Sequence, residues 1–239
     1  MAFPQTISGK WGWENATSTT KYHKLGTIMQ IADSRYVYAK AGEAVTVGQL
    51  MEASGVEANE NDDLAVTTGA SAGGTTVIVT FGGAVTKDEY ADGTLFFNSA
   101  TASGGYMYRV KSHAAGTANV TITIDHEDGF AEAVTAGTDT AGFYKSPYDG
   151  FLQSNTTAVG PVVGVTRNDI ASSSYGWLQV EGQSVALIQG TPGAGLGIMR
   201  SNGTAGAVEL NDGSLSLVGQ IGRTAGVDGE YHEVFLNIR

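Results

Sequence analysis

The side chains with catalytic potential are few, and their spacing suits catalysis poorly. Residues 125–128, Asp125-His126-Glu127-Asp128, place four titratable groups in a row. Carboxylate oxygens at that density can hold Ca²⁺, but the spacing does not match an EF-hand loop, which wants glycine at its sixth position and glutamate at its twelfth. The run reads as a solvated turn, with a structural cation as the alternative. The four histidines (His23, His113, His126, His232) include no i, i+4 pair, so the zinc-hydrolase signature is missing. His113, near Lys111 at a strand end, and His232, on an apolar face, are expected to be structural. Cysteine is absent, which removes disulfides, thiolate metal sites and a cysteine nucleophile together. There is no Gly-x-Ser-x-Gly elbow. Residues 191–197, Thr-Pro-Gly-Ala-Gly-Leu-Gly, superficially resemble a phosphate loop. They lack the Lys-Ser/Thr that holds phosphate and metal, and no long helix pattern follows, so a glycine-rich turn is the reading. No catalytic residue, metal ligand or cofactor is assigned, and a non-enzymatic role is expected.

Aromatic residues offer more. In the run Tyr175-Gly176-Trp177-Leu178-Gln179-Val180, Tyr175 and Trp177 share one face of a strand, which suits core packing or a domain seam. The three tryptophans and ten tyrosines could also build a sugar-stacking platform. Trp11 and Trp13 differ, because they lie in a polar, glycine-bearing leader with no strand of its own. Burying one such ring contributes on the order of 2–3 kcal/mol. Large apolar groups with nothing local to pack on point to a partner, and Trp11 and Trp13 are the expected contact residues, with Lys10, Lys21 and Lys24 beside them. Residues 1–40 hold five basic side chains against Glu14 and Asp33, a local charge of +3, while the rest of the chain carries −14. The leader is either a solvated tail or an arm that docks on an acidic surface.

Strands position these residues. Val120, Ile122 and Ile124 alternate with polar neighbours, and so do Tyr106, Tyr108 and Val110, and later His232, Val234, Leu236 and Ile238. Residues 77–81, 161–166, 175–181, 184–189 and 215–221 are further short β candidates. Six Asp-Gly or Asn-Gly pairs, at 92, 128, 149, 202, 212 and 228, punctuate them with residues tolerant of positive φ. One short helix is expected after Thr46: Thr46 and Gln49 fit a capping box, Val47, Leu50 and Met51 share a face, and Gly55 can stop it. Residues 57–63 are expected to be an exposed acidic loop. The fold expectation is all-β, with two sandwich- or barrel-like units, short hairpins, one short helix and an extended N-terminal arm. The arm takes residues 1–25, a first β domain 26–140 and a second 141–239, with residues 131–140 as a linker or long hairpin.

The 239 residues can bury a sizeable core in one large or two modest β domains. Glycine fills 34 positions, roughly twice its usual share, and charged residues are 15% against the ~25% of an average domain. With 41% hydrophobic residues the chain is not of disordered composition. The net charge of −11 opposes binding to nucleic acid, which requires a basic footprint. No apolar run reaches the ~18 residues of a membrane span, and the first ten residues lack the apolar stretch of a signal peptide. A soluble, unprocessed chain without a membrane partner is expected.

The run Gly104-Gly105-Tyr106-Met107-Tyr108-Arg109-Val110-Lys111-Ser112-His113 resembles the Gly-Tyr-x-Tyr-Arg-Ile-Lys-Ser-His pattern of a family of tailed-bacteriophage structural proteins. Residues 144–150 (Tyr-Lys-Ser-Pro-Tyr-Asp-Gly), 161–165, 175–179 and the closing 219–236 fit the same family, and the second half is similar in rhythm to capsid cement proteins. The resemblance runs from about Leu25 to the end and leaves the leader outside. It implies a virion structural protein on the capsid exterior, assembled in the host cytoplasm: a decoration or cement protein whose partners are the major capsid protein and neighbouring copies of itself, a trimer suiting a threefold or quasi-sixfold site. It designates no catalytic residues. The alternative is a carbohydrate-binding β module of a phage head fibre or of a tail or adhesin component.

Overall fold

The computed structural model describes residues 5–56 and 62–238. The chain divides into two compact units: Met1–Gly55 with Pro147–Arg239, and Val56–Ser146 between them. This corrects the expected tandem arrangement with a single boundary near 140. The second unit is an insertion, with chain crossings at 55/56 and 146/147. The first unit holds β1 (Thr6–Ser8), β2 (Ile28–Ile31), β3 (Ser34–Ala41) and β4 (Leu50–Glu52). The inserted unit holds β5 (Leu64–Thr68), β6 (Thr76–Thr80), β7 (Thr94–Phe97), β8 (Met107–His113), β9 (Asn119–Ile124) and β10 (Thr140–Tyr144). The first unit then resumes with β11 (Asp149–Gln153), β12 (Val162–Thr166), β13 (Tyr175–Leu187), β14 (Gly197–Arg200), β15 (Val208–Leu210), β16 (Leu217–Ile221) and β17 (Tyr231–Asn237). The insertion leaves after β4 and returns before β11, and these strands are antiparallel neighbours (Leu152 opposite Glu52). A host sheet tolerates an insertion at such a place because the two cut ends already lie together.

The inserted unit is a closed barrel in the order β10-β5-β6-β9-β8-β7. Closure leaves no unpaired edge, and alternate side chains fill the interior. The expected alternation holds for Val120, Ile122 and Ile124, which point inward with Tyr108 and Val110 while Met107 and Lys111 face out; Tyr106, expected on the same face, precedes β8 and is exposed. Phe81, Phe97, Phe130 and Phe143 complete an aromatic interior. Residues 131–140 are not a linker. Val134 is buried in the barrel core and pairs with Ala70, and Asp139 is only 2% exposed. The Asp139 carboxylate accepts hydrogen bonds from the hydroxyls of Thr101 and Ser99 and from the Thr135 N–H. Residues 57–61 of the expected acidic loop lie outside the described residues.

The other unit is an 11-stranded sheet in the order β1-β2-β3-β11-β4-β12-β13-β17-β16-β14-β15. Because β3 also pairs with β13, the strands β3, β11, β4, β12 and β13 close a circuit. Met51, Phe151, Val163, Ile170 and Leu178 form one core cluster here. Ile188, Ile198, Val218, Ile221, Val234 and Leu236 form another where β13 continues into β17, β16 and β14. The helix expected after Thr46 does not form. Leu50, Met51 and Glu52 are a fully buried strand, flanked by β11 and β12. Thr166 engages the segment just before it, donating its hydroxyl to the Thr46 carbonyl at 2.6 Å and its N–H to Gln49 at 3.1 Å. Two ready-made neighbours outweigh a two-turn helical preference that could not stand alone.

Glu52 and Arg200 form a buried ion pair at 3.0 Å, and Glu52 also accepts the Asn155 N–H at 2.8 Å. Removing one partner strands a charge in the interior. Arg200→Ala is expected to lower the stability of this unit by about 3 kcal/mol, with Glu52→Gln/Arg200→Met recovering most of the loss; calorimetry of the three variants measures it. In the barrel, burial opposes ionisation of Asp139, but hydrogen bonds from Thr101, the Thr135 N–H, Ser103 and Ser99 outweigh it and hold the carboxyl below its ordinary value. Such a group stabilises the fold above its unfolded pKa, and the stabilisation is lost as pH falls through the folded one. Asp139→Asn is therefore expected to weaken the barrel by about 2 kcal/mol at pH 7 and to flatten its acid-unfolding slope below about pH 4.

Candidate functional site

The leader is not a free extended arm. β1 pairs in parallel with β2, and the Ser18 and Tyr175 backbones exchange hydrogen bonds at 2.7 and 3.0 Å. Between them, residues Trp13–Asn15 make one 3₁₀ turn. The buried Glu14 carboxylate accepts the Gly12 N–H at 2.7 Å, and Asn168 donates its side-chain amide to the Asn15 carbonyl at 2.8 Å. Gly12 sits at φ 99°, a left-handed conformation that a β-carbon would strain. The polar composition of the leader concealed the contacts that hold it on the sheet, because Asn168 and Tyr175 lie more than 150 positions from Asn15 and Ser18.

This anchoring sets the five expected contact residues apart from one another. Trp11 remains 67% exposed and Lys10 and Lys21 are exposed, whereas Lys24 is half-buried. Trp13 is 48% exposed and also forms part of a cleft. The cleft has a volume of about 410 Å³ and is lined by Trp13, Tyr22 and His23 from the leader and by Tyr38, Tyr175 and Trp177 from β3 and β13. Tyr38 lies opposite Trp177 in the β3–β13 register, so the pleat puts both on one face, and Tyr175 shares that face two residues along. Tyr38 and Tyr175 stack with centroids 5.7 Å apart and planes 6° apart. The His23 ring stands edge-on to Tyr38 at 5.1 Å and tilted to Trp177 at 5.4 Å.

The electrostatics of the cleft are those of a neutral site. Its lining includes no carboxylate, lysine or arginine. Burial pushes the His23 imidazole below its ordinary value, which keeps it uncharged at neutral pH. The Tyr38 hydroxyl is committed, accepting the Tyr22 N–H at 3.1 Å and donating to the Thr20 carbonyl. Burial raises its pKa well clear of neutrality. Among the described residues, no hydrogen bond engages the ring nitrogens of His23, the hydroxyls of Tyr22 and Tyr175, or the indole N–H of Trp177. Tyr175 and Trp177 were legible as face-sharing residues in the sequence, but Tyr22, His23 and Tyr38 carried no signal that would have joined them.

The other candidates resolve into structural roles. His113 is buried, with Nε2 accepting the Tyr90 N–H at 3.0 Å and Nδ1 2.9 Å from the Ala114 carbonyl, so both nitrogens are used. His126 packs edge-on against Tyr108. Among the described residues, no three His, Asp or Glu side chains converge as a metal site, those at 125–128 included. Residues 191–196 form a turn between β13 and β14, with Gly195 at φ 71°, and Gly197 begins β14. A smaller cavity of about 260 Å³ is lined by Arg200, Val162, Leu217 and Ile238, but its arginine is held by Glu52. On the outer face of the barrel, Met107 (68% exposed) lies opposite Phe96, which stacks on Tyr144 at 5.2 Å. No family model, curated protein or solved structure matches the chain.

Because the leader covers Tyr38 and Trp177, deleting residues 1–24 is expected to destabilise its unit by about 3 kcal/mol rather than leave an intact body. A lowered Tm with new binding of an apolar-surface dye checks this; an unchanged Tm contradicts it.

Proposed function

We propose that the chain is a virion structural protein, a capsid decoration or cement protein that binds the outer surface of the major capsid protein lattice and stabilises the head. The observation that carries the reading is Trp11: an indole held two-thirds exposed on a backbone pinned by Glu14, Ser18 and β1, next to the exposed Lys10. A pinned, exposed aromatic loses little conformational freedom on binding and gains its full burial, as anchor residues do. Charge favours the same face. The inserted unit has 12 acidic and 4 basic side chains, a net of −8, so an acidic lattice would repel it. Residues 1–24, with Lys10, Lys21 and Lys24 against Glu14 alone, carry +2 and would be attracted.

The proposed role needs no reaction chemistry. Repeated lattice sites let modest single contacts add up through avidity, with neighbouring copies bridging capsid subunits. The resemblance to tailed-phage structural proteins supports this reading, and so does the sequence bias toward glycine, serine and threonine with low charge density.

Mixing the full-length chain with purified heads that lack it, and counting bound copies by quantitative mass spectrometry, tests the reading. Wild type is expected to bind at hundreds of copies per particle. Trp11→Ala is expected to weaken binding at least tenfold, and Lys10→Glu/Lys21→Glu to weaken it by a factor that shrinks as salt rises, both with unchanged Tm. Absence from particles, or wild-type occupancy by Trp11→Ala, would overturn the proposal; a few dozen copies would move it to a fibre or tail part.

A further inference from the structure

We infer that the cleft between the leader and strands β3 and β13 is a binding site for a neutral saccharide, taking one pyranose ring against Trp13 and Tyr175 with His23 beside it. The inference does not depend on the capsid reading, since it concerns a different surface property and is tested without particles.

Three observations select the ligand class. The first is size: about 410 Å³ falls within the ~300–1,000 Å³ of small-molecule sites, enough for a ring-sized ligand and too small for a folded segment. The second is charge. With no acidic or basic side chain in the lining, an ionic ligand would lose its hydration without gaining a counter-charge. The third is the pairing of apolar faces with uncommitted polar atoms. A hydrocarbon would fill the space, but it would leave the His23 nitrogens, the Tyr175 hydroxyl and the Trp177 indole N–H without partners once water was expelled. A pyranose meets both demands. Its C–H face lies flat on an aromatic ring, and its hydroxyls each donate and accept.

His23 is suited to such a partner because a neutral imidazole has one N–H and one lone pair, the same complement a hydroxyl presents. Its ring is already fixed by contacts at 5.1 and 5.4 Å with Tyr38 and Trp177, so little ordering remains on binding. Trp13 comes from the 3₁₀ turn and Tyr175 from the strand that the leader pairs with, so one backbone bridge, Ser18 to Tyr175, holds the two sides of the cleft together.

The test titrates the full-length chain with methyl α- and β-D-glucopyranoside, methyl β-D-galactopyranoside and N-acetyl-D-glucosamine, with D-glucuronate and indole as acidic and apolar controls. Tryptophan fluorescence and saturation-transfer NMR supply the readouts. At least one neutral pyranoside is expected to bind saturably with Kd on the order of 1 mM, as a single-ring contact would. Trp13→Ala, which alters a half-exposed ring, is expected to weaken that binding at least tenfold. His23→Phe, which keeps the ring and removes its hydrogen bonds, is expected to weaken it at least fivefold, and Tyr175→Phe reports on the hydroxyl should either of the others fail to fold. No saturation by any neutral pyranoside, saturation by indole or glucuronate alone, or sugar binding that all three variants leave unchanged would each overturn the inference. Capsid occupancy measured on the same variants separates its failure from that of the decoration role.

Discussion

Strand β13 carries the first unit, because three different strands depend on it along its 13 residues. Its first half pairs with β3 and β12, which closes the circuit around Met51, Phe151 and Leu178. Its second half pairs with β17, which leads on to β16, β14 and β15. The change of partner occurs at Gly182, where φ is 95° and a β-carbon would come within 2.7 Å of Ser34 Oγ and 3.0 Å of the Asp33 carbonyl. Only glycine allows the strand to turn from one set of neighbours to the other while staying continuous. The same strand supplies Tyr175 and Trp177 to the cleft, so the recognition surface is built on the most heavily paired element of the unit. Sites placed on rigid strands hold their geometry better than sites on loops.

The insertion separates two problems that one sheet would have to solve together. The barrel closes its own hydrogen bonds and fills its own interior, so its strands owe nothing to the host unit. It also takes most of the negative charge, leaving the host unit at −3. A charge of −8 on a closed barrel disfavours self-association of that unit. The contrast matters for any partner that is itself acidic, because approach is then opposed far more strongly by the barrel, at −8, than by the host unit, at −3.

The sequence revealed what depends on near neighbours and hid what depends on distant ones. Val120, Ile122 and Ile124 announced β9 because alternation is local, and Val234 and Leu236 did the same for β17. Four of the six Asp/Asn-Gly pairs do place glycine at positive φ, at Gly129, Gly150, Gly213 and Gly229. The other features needed pairings that no window could contain. Leu50 and Met51 looked helical because β11 and β12 lie about a hundred residues downstream. The boundary expected near 140 lies close to the crossing at 146/147, but the one at 55/56 was missed because the signal that an insertion begins at Val56 is the pairing of Glu52 with Leu152. The leader looked like an arm because Ser18 finds Tyr175 only in the folded chain.

That last contact also explains why two features of the leader can serve different ends. The bridge at Ser18 draws Thr17, Ser18 and Tyr22 over the sheet, and the 3₁₀ turn before it sends Trp13 toward the cleft. Trp11, two residues earlier and beyond the left-handed Gly12, escapes that packing and stays exposed. A change of backbone hand at one glycine thus divides two tryptophans that composition alone would treat as equivalent.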